Sequence, residues 1–345
     1  MIIVPDTSYV STNRGLVTTR EIVNKEDYQV LTNGLVSYED YDVVGVGITA
    51  KVFEDSKHLI RVETEKGYRV LAHPDTLVYT QKSGLRKVSD LTKSDSVAIQ
   101  TDRNILRPMK GDDEEEVTDG FVLGALVHNG SIIFDYENPD EDDAPSIYYQ
   151  MKFVLAEQGA FTIVHDRILK LFDDPKFDLD FDQENFVHTI TYKDRRVVEW
   201  FSNYGYDKDS SHISDKILKG SGHLVSGFIQ GMFSTVGELM GADIPKKYNN
   251  KKGSLFTVKA VARGIHLLLL ETGVVSHLVR LSHTHWLVYS TSDKNLLKYY
   301  SSYDKISNVV KVLEKNLTSL EVEPGNSLFV EGILLVDGGE NEKPA

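Results

Sequence analysis

Strand-forming sequence occupies both ends of this chain, and a mixed pattern of helix and strand fills the middle. From residue 1 to 104, Val43–Val52, His58–Thr64 and Tyr68–Tyr79 are rich in β-branched and aromatic side chains, which fit a pleated, half-buried surface. Glu65-Lys-Gly67 and Lys82-Ser-Gly84 read as turns, Asp90–Gln100 as a further strand, and Arg103–Glu116 as a linker. From 117 to 312 the spacing of apolar residues predicts helices over Phe121–Val127, Tyr149–Ala156, Val197–Tyr204, Leu224–Phe233 and Val258–Thr272. Strand-like runs alternate with them at Ser131–Tyr136, Val187–Tyr192, Leu278–Leu281 and Trp286–Tyr289. From 316 to 345 the pattern returns to β, and Leu320–Asp337 reads as two short strands around Pro324-Gly-Asn326.

A chain of 345 residues is long enough for two domains with a core each. At 41% apolar residues it is a folded chain, not a disordered one. No apolar run approaches the roughly 20 residues that span a bilayer, and the N-terminus lacks the basic flank and apolar core of a secretion signal. The expected setting is therefore the cytoplasm, with no membrane partner. The absence of cysteine excludes disulfides, thiolate zinc sites and Cys nucleophiles. A formal charge of −14 disfavours a general nucleic-acid binder. The acidic excess gathers in Asp112–Glu116, Glu137–Asp143 and Asp173–Asp182, all expected to be solvated loops.

The stretch Leu320–Asp337, with Gly332-Ile-Leu inside it, resembles the C-terminal end of an intein, which closes as Gly-Ile-Leu-Val-His-Asn. On that pattern the penultimate His falls on Val336, the terminal Asn on Asp337 and the following nucleophile on Gly338. Val4–Val10 resembles the intein opening, whose nucleophile position falls on Ile2. Val70–Thr80 is similar to the Thr-Pro-Asp-His segment that orients and protonates the first scissile peptide, a general-acid task. Here the two residue types are interchanged, as His73 and Thr76. A lone His beside a turn is ordinarily structural. Leu85–Ile99 resembles a later strand entry, with Ser94-Asp95 in place of Gly-Asp.

Two segments of the middle, Phe121–Ser131 and Leu224–Ser234, resemble the LAGLIDADG motif of homing endonucleases. That motif packs two helices closely through small residues, here Gly124, Ala125, Gly227 and Gly231. It also supplies a carboxylate to a divalent cation that assists phosphodiester hydrolysis. The carboxylate positions fall on Asn129 and Met232, and a thioether is a poor ligand for hard Mg²⁺. Arg195–Tyr206 and Val258–Val274 look like a repeated helix with a Gly C-cap, at Gly205 and Gly273. Ser211–Ser214 stands where the family has a basic segment.

The resemblance implies a mixed fold: an all-β Hint-type domain formed by both chain ends (1–104 and 316–345), with an α+β, pseudo-twofold endonuclease-like domain inserted at 117–312. It implies a protein inactive in splicing and cutting, with no cofactor and no metal, retained to bind a protein partner and encoded by a phage or other mobile element. Two alternatives stay open. One is a DNA- or RNA-binding protein using the saddle-shaped β surface and the basic loop Lys246, Lys247, Tyr248, Lys251 and Lys252; that loop also reads as a solvated turn after Pro245. The other is residual endonuclease activity. His283 and His285, with His277 nearby, form a His-x-His pair that could hold zinc only with a further ligand from elsewhere; exposed strand histidines are the simpler reading.

Overall fold

The structure, a computed structural model, describes residues 2–25, 27–31, 45–53, 57–100, 113–137, 146–206, 212–234, 252–290, 301–323 and 327–337. The chain divides into two compact units. A β unit holds Met1–Pro108, His266–Val279 and Ser290–Ala345, and an α+β unit holds Met109–Ile265 and Arg280–Tyr289.

The chain runs through β1 (Ile2–Pro5), β2 (Tyr9–Thr12), β3 (Gly15–Thr18), α1 (Thr19–Ile22), β4 (Gln29–Leu31), β5 (Gly45–Phe53), β6 (Lys57–Thr64), β7 (Arg69–Ala72), β8 (Leu77–Thr80), β9 (Gly84–Lys87) and β10 (Ser96–Gln100). It continues as α2 (Glu114–Asn129), β11 (Gly130–Glu137), β12 (Ser146–Leu155), α3 (Gln158–Leu171), β13 (Phe177–Asp182), β14 (Val187–Tyr192), α4 (Arg195–Asn203), α5 (Asp215–Leu218) and α6 (Gly222–Ser234). Then follow β15 (Lys252–Phe256), α7 (Lys259–Glu271), β16 (Ser276–Arg280) and β17 (Trp286–Ser290), and last β18 (Ser301–Glu314), β19 (Leu317–Glu323), β20 (Ser327–Val330) and β21 (Ile333–Val336).

The β unit is knitted from both chain ends. Its strand order is β1-β19-β5-β4-β2-β20-β21-β8-β10-β18-β6-β7, so each C-terminal strand lies between N-terminal ones or beside its own hairpin partner. Ile2 pairs with Leu320, and Leu317 with Phe53, placing β19 between β1 and β5. Every residue of β20 and β21 is buried, which matches the apolar runs Leu328–Val330 and Ile333–Val336. The two are joined through Glu331 and Gly332 at φ +52° and +78°, the left-handed pair of a type I′ hairpin turn. Side chains such as Val4, Val10, Ile48, Val62, Val97, Leu320 and Ile333 form one core cluster, each burial worth about 1.5–3 kcal/mol.

Two buried carboxylates fix the connections. Asp95 accepts from the Thr92 N–H and hydroxyl and from the Arg86 guanidinium, each at 2.8 Å. Asp304, 3% exposed, accepts from the Lys66 backbone and ammonium at 2.9 Å and so pins the 65–67 turn.

In the α+β unit a four-stranded antiparallel sheet, β11-β12-β14-β13, carries helices on one face. Met151, Phe153, Leu155, Ile190 and Tyr192 are fully buried there. Phe153 meets Phe201 of α4 at 5.9 Å, and His165 of α3 hydrogen-bonds Tyr192 at 3.1 Å. This is the expected fold class: an all-β unit closed by both ends, and an α+β unit between them.

Several boundaries differ from expectation. Ser301–Glu314, placed by pattern inside the insert, is a strand of the β unit that pairs with both β10 and β6. Tyr149–Ala156 is not a helix: β12 lies between β11 and β14, and Met151, Phe153 and Leu155 face inward at a period of two. Asp90–Gln100 is shortened to β10, because Asp95 and Thr92 close a turn before it. Tyr68–Tyr79 splits into β7 and β8 around His73–Thr76. The acidic run Asp173–Asp182 ends in a strand, β13. Asp113 caps α2, accepting the Glu116 N–H, and Glu114–Glu116 form a first turn favoured by the helix dipole.

Candidate functional site

The three segments around Ile2, His73 and Val336 come together. The His73 N–H donates to the Ile3 carbonyl at 3.0 Å, which ties the turn after β7 to β1. That turn closes through the Thr76 N–H and the His73 carbonyl, also at 3.0 Å. Leu77, the next residue, lies opposite Val336 of β21, so Asp337 follows beside the same turn. Sequence positions 2, 73, 76, 336 and 337 therefore share one corner of the sheet.

Two of these five side chains are packed aliphatics. Ile2 is 1% exposed and belongs to the core cluster. Val336 is buried in a small apolar cluster with Ala98, Phe329 and Leu334. The partly buried His73 accepts the Asp75 N–H through Nδ1 at 3.3 Å. Desolvation lowers its pKa, against the opposing pull of Asp75, so the ring is neutral at pH 7. Thr76 is 1% exposed and its hydroxyl has no hydrogen-bond partner among the described residues, a feature no sequence pattern announced. The corner thus holds a neutral imidazole, a buried hydroxyl, two packed aliphatics and the Asp337 carboxylate.

The second constellation is the contact of α2 with α6. A methyl at Gly120 would overlap the Leu224 carbonyl oxygen and lie 2.7 Å from the Phe228 nitrogen. At Gly124 it would overlap the Phe228 oxygen and lie 2.8 Å from the Met232 nitrogen. In return, Gly227 abuts the Val117 carbonyl and Gly231 the Phe121 carbonyl, with the Ala125 nitrogen 3.0 Å from the added carbon. The contacts are reciprocal when each residue of α2 is matched to the one 107 positions later, a twofold relation between the helices. Backbone touches backbone here because four positions lack a Cβ.

That reciprocity shows that the two segments, matched in sequence at Asn129 and Met232, are offset by about one helical turn. Gly227 is the counterpart of Gly120, a packing residue the sequence reading missed, and Gly231 is the counterpart of Gly124. Met232 thus matches Ala125 in the helix contact and not Asn129; it is fully buried. The counterpart of Asn129 is Val236, which lies outside the described residues. The repeated Gly-x-x-x-Gly spacing, 120/124 and 227/231, was the available signal. Asn129 ends α2, beside His128, whose ring meets Phe256 edge-on at 5.6 Å and whose pKa burial lowers to about 4.

Gly205 and Gly273, at φ +86° and +78°, close α4 and α7 in the same way. In each case the two N–H groups that follow the helix return to its last-turn carbonyls, 206 to 201 and 274 to 269. By element order, however, α7 takes the place of α3 and not α4, since it precedes a strand pair. Of the basic loop, Lys246, Lys247, Tyr248 and Lys251 lie outside the described residues, and Lys252 begins β15. His283 and His285 stand in a bend between β16 and β17, not on a strand. Arg280 meets His283 Nδ1 at 2.9 Å, and Ser282 meets His285 Nδ1 at 3.1 Å; His277 lies in β16. Among the described residues no three His or carboxylate groups cluster as a metal site, and no described helix is long and apolar enough to cross a membrane.

The open face of the four-stranded sheet was not anticipated. By register, Lys152, Thr191 and Asp178 form one cross-strand row, and Val154, Thr189 and Asp180 the next. Asp182 extends the acidic edge, so every second residue of β13 presents a carboxylate on the face away from the helices.

No family model matches the chain, and no curated protein matches it. Among solved structures similar to it is the homing endonuclease I-DmoI in complex with DNA and Ca, at 11% identity over 54% of this chain and 88% of that one, with a TM-score of 0.41. Another is a mutant of an Ssp DnaB mini-intein variant, at 6% identity over 97% of this chain and 98% of that one, with a TM-score of 0.36. A DnaB intein from Synechocystis sp. PCC 6803 is similar over 29% of this chain and 70% of that one, at 12% identity and a TM-score of 0.26. These are the two kinds of protein whose motifs the sequence resembles.

Proposed function

We propose that the chain is a binding protein built on intein-like and endonuclease-like folds, active in neither splicing nor DNA cleavage, and working on a protein partner in the cytoplasm of a cell that hosts a phage or other mobile element. The observation that carries this reading is the corner at Ile2, His73 and Val336. Its backbone is assembled through the Ile3–His73 hydrogen bond and the Val336–Leu77 pairing, while Ile2 and Val336 are buried aliphatics. Acyl transfer at this corner needs a nucleophile at position 2 and an acid at position 336, and both positions carry aliphatic side chains, leaving the His73 ring, the buried Thr76 hydroxyl and the Asp337 carboxylate as its polar groups. In the α+β unit the glycine contact keeps the helices together, and Asn129 brings an amide where cation-assisted hydrolysis would need a carboxylate.

The acidic face of the sheet weighs against the nucleic-acid alternative. Phosphate recognition draws on Lys and Arg, and Asp178, Asp180 and Asp182 set negative charge along one whole strand of that face.

The test places the whole chain between two reporter domains and, separately, incubates it with supercoiled DNA and Mg²⁺ or Mn²⁺. The expected result is no ligated reporter product and no nicked or linear DNA. Ligation or metal-dependent cleavage by the unaltered chain would overturn the reading. Gain of ligation in the quadruple variant Ile2→Cys, Val336→His, Asp337→Asn, Gly338→Ser, which restores the attacking, assisting, cyclising and accepting groups together, would sharpen it, by showing that the corner lacks only the reactive groups.

A further inference from the structure

We propose that the outer edge of β13 accepts an extended segment of a partner protein as a fifth strand, and that this segment alternates apolar with basic side chains. The inference deepens the protein-binding reading above and rests on it.

β13, Phe-Asp-Leu-Asp-Phe-Asp from 177 to 182, ends the sheet order β11-β12-β14-β13, and among the described residues nothing pairs with its other edge. An edge strand offers backbone N–H and C=O groups at alternate residues, the template on which peptides add to sheets. Six residues give an edge of roughly 20 Å. The apolar side of the strand is incompletely covered. Phe177 packs on His165 at 4.8 Å, but Leu179 is 53% and Phe181 43% exposed. The turn that follows adds Phe186, 70% exposed at φ +54°.

The charges on the other side select the occupant. Asp178 is neutralised by Lys193, and Asp182 is occupied by its own turn, accepting from Glu184 and Asn185. Asp180 has no such partner among the described residues and stands between the two exposed apolar side chains. A strand laid antiparallel along this edge would place a side chain directly opposite Asp180 on the same face. A lysine or arginine there complements it, with apolar residues on either side against Leu179 and Phe181. Pairing with a second copy of β13 is disfavoured, because every register sets Asp against Asp or Asp against an apolar side chain. Nucleic acid is repelled by the same row.

The full chain is titrated with an acetylated, amidated eight-residue peptide that alternates Lys and Val, and binding is followed by calorimetry. Controls are an alternating Glu–Val peptide, a Lys–Val peptide of equal composition in two blocks, and the alternating Lys–Val peptide N-methylated at every second amide on the edge that would pair. Saturable binding of the first peptide alone is expected. Asp180→Lys, an exposed substitution whose fold is checked by circular dichroism, should weaken it about tenfold or more. Raising salt from 0.05 to 0.2 M should weaken it several-fold. Equal binding of the block or N-methylated peptide, unchanged affinity in Asp180→Lys, no binding at all, or a dimer abolished by Asp180→Lys would overturn the inference. The two readings fail separately: ligation or cleavage in the reporter and DNA assays removes the functional reading, whereas absent peptide binding with both assays silent removes only the edge-strand inference.

Discussion

The contact between α2 and α6 and the corner at Ile2, His73 and Val336 differ in what holds them together. In the helix pair the essential groups are absences: four glycines whose missing Cβ atoms let carbonyls of one helix sit against the backbone of the other. No other residue type can fill those positions without moving a helix, so the geometry itself demands them. In the corner the backbone is held by strand register and by the His73–Ile3 hydrogen bond, and the side chains that would carry reactivity take no part in that framework. Ile2 and Val336 instead pack into apolar clusters. Architecture and chemistry are thus separable in one region and inseparable from packing in the other.

The largest effect should come from filling the helix contact. Gly227→Ala or Gly231→Ala is expected to cost about 3–5 kcal/mol, near the upper end for overpacking, because the clash is with backbone and no rotamer relieves it. The denaturant midpoint measures this, and a loss under about 1 kcal/mol would break the contrast with the corner. Next is a pH effect at the end of α2. The folded-state pKa of His128 is lowered to about 4 by burial, so below the usual 6.5 the unfolded chain binds a proton that the folded chain refuses. That stability is fully present above pH 6.5 and is lost as pH falls toward 4, on the order of 3 kcal/mol. His128→Leu should flatten the difference, and identical stability–pH curves for the two proteins would rule it out. In the β unit, burial raises the Asp95 pKa, but hydrogen bonds from Thr92 and charge and hydrogen bonding from Arg86 outweigh this and leave it lowered. Asp95→Ala should cost about 2–3 kcal/mol at pH 7, and the difference should shrink as acid protonates the carboxyl in both states.

The sequence made the frame of the fold legible because strand composition at both ends and glycine-bearing apolar segments in the middle are local signals. That Ile2 and Val336 bring no nucleophile or acid was legible for the same reason, since an aliphatic side chain is aliphatic in any fold. Register was not legible. Ser301–Glu314 has no local mark assigning it to β10 and β6, and Tyr149–Ala156 carries both periods until Met151, Phe153 and Leu155 are seen to face the same helices. Met232 was matched to Asn129 because the two segments were aligned one helical turn out of step. Only the reciprocal clashes of Gly120, Gly124, Gly227 and Gly231 fix the offset. The acidic face of β13 was hidden because Asp173–Asp182 reads as a charged loop until pairing with β14 sorts alternate residues to opposite sides.

The smallest predicted effect is the sharpest probe of the corner. Thr76 buries its hydroxyl without a partner among the described residues, so the folded state bears a desolvation cost of roughly 1 kcal/mol or more that the unfolded chain avoids. Thr76→Val keeps the branched shape and removes the unpaired group, and should raise stability by about 0.5–1 kcal/mol. Thr76→Ser keeps the hydroxyl but loses a buried methyl, and should lower stability by a similar amount. Opposite signs in the two denaturation midpoints are the expected outcome. If Thr76→Val is instead the destabilising one, the hydroxyl makes a contact that holds the corner together, and side chains there would share the structural duty assigned here to the backbone alone.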